Sequence, residues 1–290
     1  MLTTVAVALA VLAAALNAVA SVAQQRVAFT VPETQARGVR LLARLIRSPN
    51  WLAGVAGNAG GYVAHAGALA VGSLLLVQPL LATTLLFALP LGARWAGRRL
   101  RAADRVWALL LAASLAVFIL AADATRGVPR AGLQQWLPAA LVIVTVLAGC
   151  VLGAAVRRGT TRAVLLALGA GVSYGVIAGL TKSVVSLVDE GVLAMLTSWE
   201  IYALVITAVG AILLQQSAFQ AGDLDASLPA VTVAEPLVAV ALGITVLQEQ
   251  VRADGLEWLL IGVLVAVMVS ATMALARSAA RLEVGAETWP

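Results

Sequence analysis

The sequence predicts an all-α integral membrane protein with about nine transmembrane helices arranged as an inverted structural repeat. Of its 290 residues, 62% are hydrophobic and 11% are charged, whereas a soluble domain averages about 45–50% and 25%. Apolar runs of the roughly 20 residues that cross a bilayer core recur along the whole chain. No soluble fold buries that much apolar surface. Residues 1–280 are therefore expected to form a single transmembrane domain, with 281–290 as a short cytoplasmic tail.

The predicted spans divide into two sets of four around a linker. The first repeat covers 1–122, a linker helix covers 135–155, and the second repeat covers 163–277. The first run is expected to remain in the mature protein, because no positive charge precedes it and it is longer than a typical signal-peptide core. The nine runs are 2–23, 51–72, 73–93, 106–122, 135–155, 163–188, 199–218, 229–248 and 256–276.

The placement of arginine predicts the orientation. With the N-terminus outside, fifteen arginines fall in inner loops and three, Arg126, Arg130 and Arg252, fall in outer loops. This excess is the positive-inside pattern of a multi-pass protein, here of the cell membrane, with its C-terminus in the cytoplasm. Arginines at helical spacing over 34–47 predict an amphipathic helix on the inner leaflet. A solvated basic loop stays the alternative for that segment.

Two segments of the first half resemble two segments of the second. LNAVASVAQQRV from Leu16 parallels SYGVIAGLTKSV from Ser173, and AGALAVGSLLLVQPLLA, ending at Ala82, parallels AGDLDASLPAVTVAEPLVA, ending at Ala239. Both pairings place span 1 on span 6, span 2 on span 7, span 3 on span 8 and span 4 on span 9. The copies are therefore five spans apart and run in opposite directions across the membrane. Inverted repeats are the architecture of many secondary transporters, which bind substrate near the midplane between the repeats.

These motifs also carry a family resemblance. The helices containing Pro79 and Pro236, with LQEQVRADGLEWLLIGVLV around Glu249, resemble the drug/metabolite transporter superfamily (EamA-like). The nine spans, the basic segment after the first span and the stretch from TSWEIY to AVTVAEP are more similar to its NIPA-type magnesium-transporter branch. The chain departs from the family at Gln248, where glycine normally precedes the glutamate, and at Ala93, where the first half would carry a matching glutamate. The resemblance implies an inverted-repeat carrier and supplies no substrate.

Two ionisable residues lie clearly inside predicted spans. Lys182, the only lysine of the chain, lies in the sixth span, and Glu235 lies in the eighth, directly before Pro236. Charges inside a membrane are costly and mark substrate or ion pathways, so each is a candidate for substrate binding or coupling. For Lys182 the alternative is a side chain that snorkels to the outer surface. By the repeat, Lys182 aligns with Gln25 and Glu235 aligns with Gln78.

The second span adds a polar face. Asn58, Tyr62 and His65 recur at i, i+4 and i+7, which places them on one side of a helix. By the repeat, His65 matches Gln220. Packing or interhelical hydrogen bonding is the alternative for these uncharged residues. The full set of candidates for substrate binding or coupling is Glu235, Lys182, Gln78, Gln25, His65, Tyr62, Asn58, Tyr174, Gln216 and Gln220.

The sequence therefore predicts a secondary transporter that moves a small metabolite or drug-like solute by alternating access, driven by an ion or solute gradient, with a proton or cation as the candidate coupling ion. Magnesium or other divalent-cation transport and a non-transporting membrane scaffold stay alternatives. No nucleophile–base set, nucleotide-binding glycine loop or close set of metal ligands appears, so we expect neither an enzyme nor a metal or cofactor. The expected partners are the solute and the lipid bilayer. Nucleic acid is not expected, because the basic residues form no single patch; a homodimer stays open.

Overall fold

The structure is a computed structural model that describes residues 2–29, 48–95, 97, 99–121, 123–221 and 224–287. The helices of this part are α1 (Leu2–Phe29), α2 (Pro49–Val71), α3 (Leu74–Leu81), α4 (Thr83–Trp95), α5 (Ala102–Ala121), α6 (Leu133–Val156), α7 (Gly159–Val185), α8 (Val192–Thr197), α9 (Trp199–Ala221), α10 (Leu224–Thr245) and α11 (Leu256–Glu287). Two short strands, β1 (Asp123–Ala124) and β2 (Val251–Arg252), pair in antiparallel fashion. The predicted amphipathic helix at 34–47 lies outside the described residues.

Eight helical segments of the described chain are long and apolar enough to cross a membrane. The protein is therefore an all-α, multi-pass membrane protein, as the composition predicts. These segments correspond to eight of the nine predicted runs. The remaining run, 51–72, forms α2, which has 23 residues and is long enough to span. The mean hydropathy of α2 is lower than that of the other eight segments, because α2 contains several glycines and the polar side chains Asn58, Tyr62 and His65.

The predicted span at 73–93 is interrupted. Ser73 is extended, and its side chain accepts the Leu76 N–H at 3.3 Å, so it caps the start of α3. Pro79 lies inside α3 and has no N–H to continue the helical ladder. The N–H of Ala82 turns back to the Pro79 carbonyl at 3.1 Å, and a new helix, α4, begins at Thr83. By contrast, α10 runs without a break through Pro236.

Two central helices organise the packing. Helix α1 packs against α2, α3 and α4, whereas α7 packs against α6, α9 and α10. A Cβ atom added at Gly171 or Gly175 of α7 would lie 2.7 Å from the Cβ of Ala234 or Val238 of α10. Glycine therefore lets the backbones of α7 and α10 approach closely, as small residues do in membrane helices. The remaining large contacts join α5 to α11 and α10 to α11.

Residues 124–130, which we call the strap, cross the end of the bundle that carries β1 and β2. Beyond the strand pair, the Val128 N–H donates to the Leu247 carbonyl at 2.7 Å. Gly127 has a φ of +59°, and a Cβ atom there would lie only 2.1 Å from the same carbonyl oxygen. Only glycine fits this position, because it needs left-handed backbone and has no room for a side chain. We call this end of the bundle the sheet end.

Candidate functional site

Lys182 and Glu249 form an ion pair inside the bundle at the sheet end. The Lys182 side chain belongs to the last turn of α7, and Glu249 directly follows the eighth predicted span. Lys182 is 4% exposed and Glu249 is fully buried. The Lys182 ammonium donates to Glu249 Oε1 and also to the carbonyl of Arg126 in the strap, at 2.8 Å. Lys182 is thus paired and buried, and it does not snorkel to the surface.

The Glu249 carboxylate also caps helix α3. Its Oε1 accepts the Leu74 N–H at 2.8 Å, and its Oε2 accepts the Leu75 N–H at 3.0 Å. These amides belong to the first turn of a helix, where they have no partner within the helix and where a negative charge is favoured. Gly243 leaves space for the carboxylate, since a Cβ atom there would lie 2.7 Å from Glu249 Oε2. Glu249 therefore connects α7 to α3.

A second ion pair fixes the strap to α9. Arg130 of the strap donates from Nε to Glu200 Oε1 at 2.6 Å and from Nη2 to Glu200 Oε2 at 3.1 Å. The Glu200 side chain is fully buried, whereas that of Arg130 is 37% exposed. The hydrogen bond to Glu200 raises the pKa of Arg130, which keeps the guanidinium charged. Among the acidic residues, the sequence singles out Glu235, whereas the described acids that the structure buries fully are Glu200 and Glu249.

The polar face of α2 reaches both α7 and α3. The hydroxyl of Tyr62 hydrogen bonds with Thr181 Oγ1 at 2.9 Å, one residue before Lys182. The Nε2 of His65 lies 3.2 Å from the Nε2 of Gln78, which is buried in α3. The rings of Tyr62 and His65 meet edge to face. The predicted polar face is thus an interhelical contact that leads to the Lys182–Glu249 pair.

Glu235 occupies a different environment in the middle of α10. It is half-buried, and in the part of the chain that the structure describes its carboxylate has neither an ion pair nor a hydrogen bond. Tyr174 of α7 lies close enough to interact with its charge, and the Tyr174 hydroxyl donates to Gln215 of α9. Glu235 therefore lies within a span, and no cation among the described residues pairs with its carboxylate.

An apolar cavity of about 190 Å³ lies between the two proline-containing spans. Pro79 and Pro236 both line it. Three of its lining residues, Leu237, Ile244 and Trp258, are about half exposed, so the cavity opens between α10 and α11. Its other walls come from α3 and the residue that follows it, and from α5, α10, β2 and α11. They are formed by Leu75, Ala82, Phe118, Thr232, Val233, Val240, Val251, Ile261, Val265, Met268, Val269 and Thr272.

The predicted candidates do not form one cluster. Tyr62, His65 and Gln78 join the sheet-end contacts with Lys182, whereas Tyr174 accompanies Glu235. The remaining candidates take other places. Asn58 is half-buried on α2, Gln216 and Gln220 are exposed on α9, and Gln25 lies in α1 with its side chain outside the described residues.

Sequence reasoning does not select several residues that the structure places at these sites. Glu249 has a signal in the sequence, because it lies in the segment that resembles the drug/metabolite transporter superfamily. Thr181, Glu200 and the strap have none that distinguishes them from topological or packing residues. Within the described residues, no three His, Cys, Asp or Glu side chains gather into a group that would hold a metal ion.

Comparison with known proteins places the chain in a family. It is 36% identical over 259 residues to a protein of Corynebacterium glutamicum described as uncharacterized protein Cgl0250/cg0304, and the match covers 89% of this chain and 90% of that protein. The chain belongs to the same family. No family model matches the chain, and no solved structure matches it. The similarity extends over nearly the full length of the corynebacterial relative.

Proposed function

We propose that the protein is a secondary transporter that moves a small, largely apolar metabolite or drug-like solute across the cytoplasmic membrane by alternating access. The observation that carries this proposal is the cavity between α3 and α10, which Pro79 and Pro236 line together. Secondary transporters bind substrate at the interface of two repeats, where helices are interrupted. Proline frees backbone groups in a span, and such groups are tolerated where they line a cavity.

The packing supports two inverted repeats, a first half of α1–α5 and a second half of α7–α11. Asn17 and Tyr174 are separated by 157 residues, as are Pro79 and Pro236. Asn17 of α1 lies against α2, and Tyr174 of α7 hydrogen bonds to α9. Helix α1 packs on α2 and on the span formed by α3 and α4, as α7 packs on α9 and α10. The arginine distribution supports an outer N-terminus and a cytoplasmic C-terminus.

The backbone at Gln248 supports membership of the drug/metabolite transporter superfamily. Gln248 has a φ of +56°, a left-handed conformation that favours glycine. Glycine is the residue that normally precedes the glutamate in that superfamily. The left-handed residue turns the chain so that Glu249 reaches the start of α3, which gives the Gly-Glu pattern a structural reason.

Glu235 is the proposed group for substrate binding or ion coupling. Carboxylates inside a membrane domain are retained mainly for function, because they are costly there. Glu249 and Glu200 each have a cationic partner, whereas Glu235 has none among the described residues. A carboxylate without a fixed partner is free to exchange a proton, a cation or a substrate group during the cycle.

The test is transport by the purified protein in liposomes. Uptake of a mixed panel of labelled metabolites and lipophilic drugs is compared with magnesium flux, for the wild type, Glu235→Gln and Glu190→Gln. Glu190 is exposed at the sheet end, so Glu190→Gln controls for loss of one acid. We expect solute uptake that falls about tenfold or more in Glu235→Gln and is unchanged in Glu190→Gln.

Two outcomes would contradict the proposal. Magnesium flux that depends on Glu235, in the absence of solute uptake, would replace the solute with a divalent cation. Neither flux, from protein that elutes as a single species and unfolds cooperatively, would favour a non-transporting scaffold.

A further inference from the structure

Polar contacts between the two halves are concentrated at the sheet end. Glu249 of the second half binds the Leu74 and Leu75 amides of the first half, and Tyr62 of the first half bonds to Thr181 of the second. Both contacts lie at the level of the last turn of α7 and the first turn of α3. In an alternating-access cycle between these halves, the sheet end opens only when these contacts separate.

The strap belongs mechanically to the second half. The strap pairs with β2. Its Arg126 carbonyl accepts a hydrogen bond from the Lys182 ammonium, and its Arg130 side chain forms an ion pair with Glu200 of α9. All these partners lie in the second half, so the strap is expected to move with it. The contacts that must break are therefore those of Glu249 with α3 and of Tyr62 with Thr181.

We propose that Glu249, held by Lys182, is the gate of the sheet end, and that Tyr62 and Thr181 form its second contact. The inference rests on the alternating-access function proposed above. When Glu249 leaves the α3 amides it keeps Lys182 as its partner, so no isolated charge is left in the protein. The freed amides of Leu74 and Leu75 meet water that enters through the opening. Lys182 thus holds the Glu249 carboxylate in position in both states, without taking part in substrate binding.

Loss of either charge loosens this gate. In Glu249→Gln the amide side chain offers one acceptor oxygen, whereas the carboxylate serves two backbone N–H groups. In Lys182→Met the carboxylate is left buried without its counter-charge, so it turns towards water and binds the α3 amides more weakly. Both variants are expected to raise the population that is open at the sheet end.

Cysteine labelling tests the gate independently of transport. Cys150 is the only cysteine of the chain, so Cys150→Ala gives a cysteine-free background. In this background, Gln78→Cys places a thiol one turn inside the gate, where Gln78 is 2% exposed. A membrane-impermeant sulfonated maleimide is added to either side of proteoliposomes. Exposed Asp254→Cys reports the sheet-end side, and exposed Arg101→Cys reports the opposite side.

We expect slow labelling of Gln78→Cys from the sheet-end side and an increase of about tenfold in Glu249→Gln and in Lys182→Met. Asp189→Asn is the control, because Asp189 is exposed just after α7 and takes no part in the gate contacts, and it is expected to change nothing. Tyr62→Phe removes a single hydroxyl and keeps the experiment decisive if the charge variants do not fold. It is expected to raise the labelling rate about two- to threefold.

Unchanged labelling in the folded variants, or an equal increase in Asp189→Asn, would overturn the gate. If the wild type takes up solute while labelling stays unchanged, only the gate is wrong. If labelling responds as expected but the wild type transports nothing, the gate stands as a conformational element and the proposed function is wrong.

Discussion

The carboxylate of Glu249 neutralises Lys182 and at the same time binds the first two amides of α3. One side chain thereby holds the end of a central helix of the second half against the interrupted span of the first. Glu235 has no such partner within the described chain. Lys182 and Glu235, the two ionisable residues inside predicted spans, therefore differ. Lys182 is paired with Glu249 at the interface between the two halves, whereas Glu235 lies beside the central helix α7 with no cationic partner among the described residues.

Removal of Glu249 is expected to destabilise the protein more than removal of Lys182. Loss of one partner of a buried ion pair costs about 3–5 kcal/mol, because the other charge is left buried without a partner. Glu249→Ala additionally leaves the amides of Leu74 and Leu75 without acceptors, whereas Lys182→Met keeps the carboxylate that accepts from them, although they are bound more weakly. Thermal unfolding in detergent measures the order: the Tm should fall most for Glu249→Ala and less for Lys182→Met.

The control for this order is Glu190→Ala, which removes an exposed glutamate near the same end of the bundle. A surface change of this kind is expected to alter stability by no more than about 0.5 kcal/mol. Equal Tm values for Glu249→Ala and Glu190→Ala would show that the ion pair does not hold α3 to α7.

The strap depends on Gly127. Gly127→Ala is expected to be strongly destabilising, because the new Cβ atom would lie 2.1 Å from the Leu247 carbonyl oxygen in addition to the strain of a left-handed backbone. Gly255→Ala is the matched control. Gly255 has a φ of +47° with no atom within 4 Å of an added Cβ, so it bears only the conformational cost of about 1–2 kcal/mol.

The Tm of the two alanine variants, measured side by side, separates the clash from the backbone strain. Protease cleavage within 124–130 gives a second reading, since a displaced strap is expected to be cut faster in Gly127→Ala alone. Equal effects of the two substitutions would mean that the strap does not need its close contact with Leu247.

Much of the fold could be predicted from local signals, but the pairing of charges could not. Span length and hydropathy are properties of single segments, so the sequence locates the helices, but it does not predict the interruption of the 73–93 span after Pro79. Lys182 and Glu249 are 67 positions apart, and Glu249 lies in a segment that reads as a loop. Their contact depends on how α7, α10 and α3 pack, which no local pattern records.

Arg130 is a second residue whose contact could not be predicted from the sequence. It counts as one of three outer arginines in the topology argument, where its only role is to be on the less basic side. The structure gives it a specific partner, Glu200, 70 positions away in α9. The His65–Gln78 contact lies closer along the chain, and both residues are sequence candidates, yet their pairing requires the chain reversal at Gly72 and Ser73.

The close contact of α7 with α10 is expected to position Glu235. Gly175→Ala would place a Cβ atom 2.8 Å from the Glu235 carbonyl oxygen and 2.7 Å from the Val238 Cβ. Such overpacking costs about 1–3 kcal/mol and pushes α10 away from α7. We expect a lower Tm together with reduced solute uptake in liposomes. Gly210→Ala in α9 is the control, because an added Cβ there meets nothing within 4 Å; a normal Tm for Gly175→Ala would contradict the tight packing.

Filling the cavity is expected to block solute uptake without unfolding the protein. Val265 of α11 lines the cavity, so Val265→Phe places an aromatic ring in a space of about 190 Å³. Val263→Phe makes the same substitution two residues earlier, at a position that is 53% exposed and outside the cavity. Uptake should fall severalfold in Val265→Phe and stay near wild type in Val263→Phe, while both keep a Tm near that of the wild type. If both variants transport equally well, the solute does not pass through the space between Pro79 and Pro236.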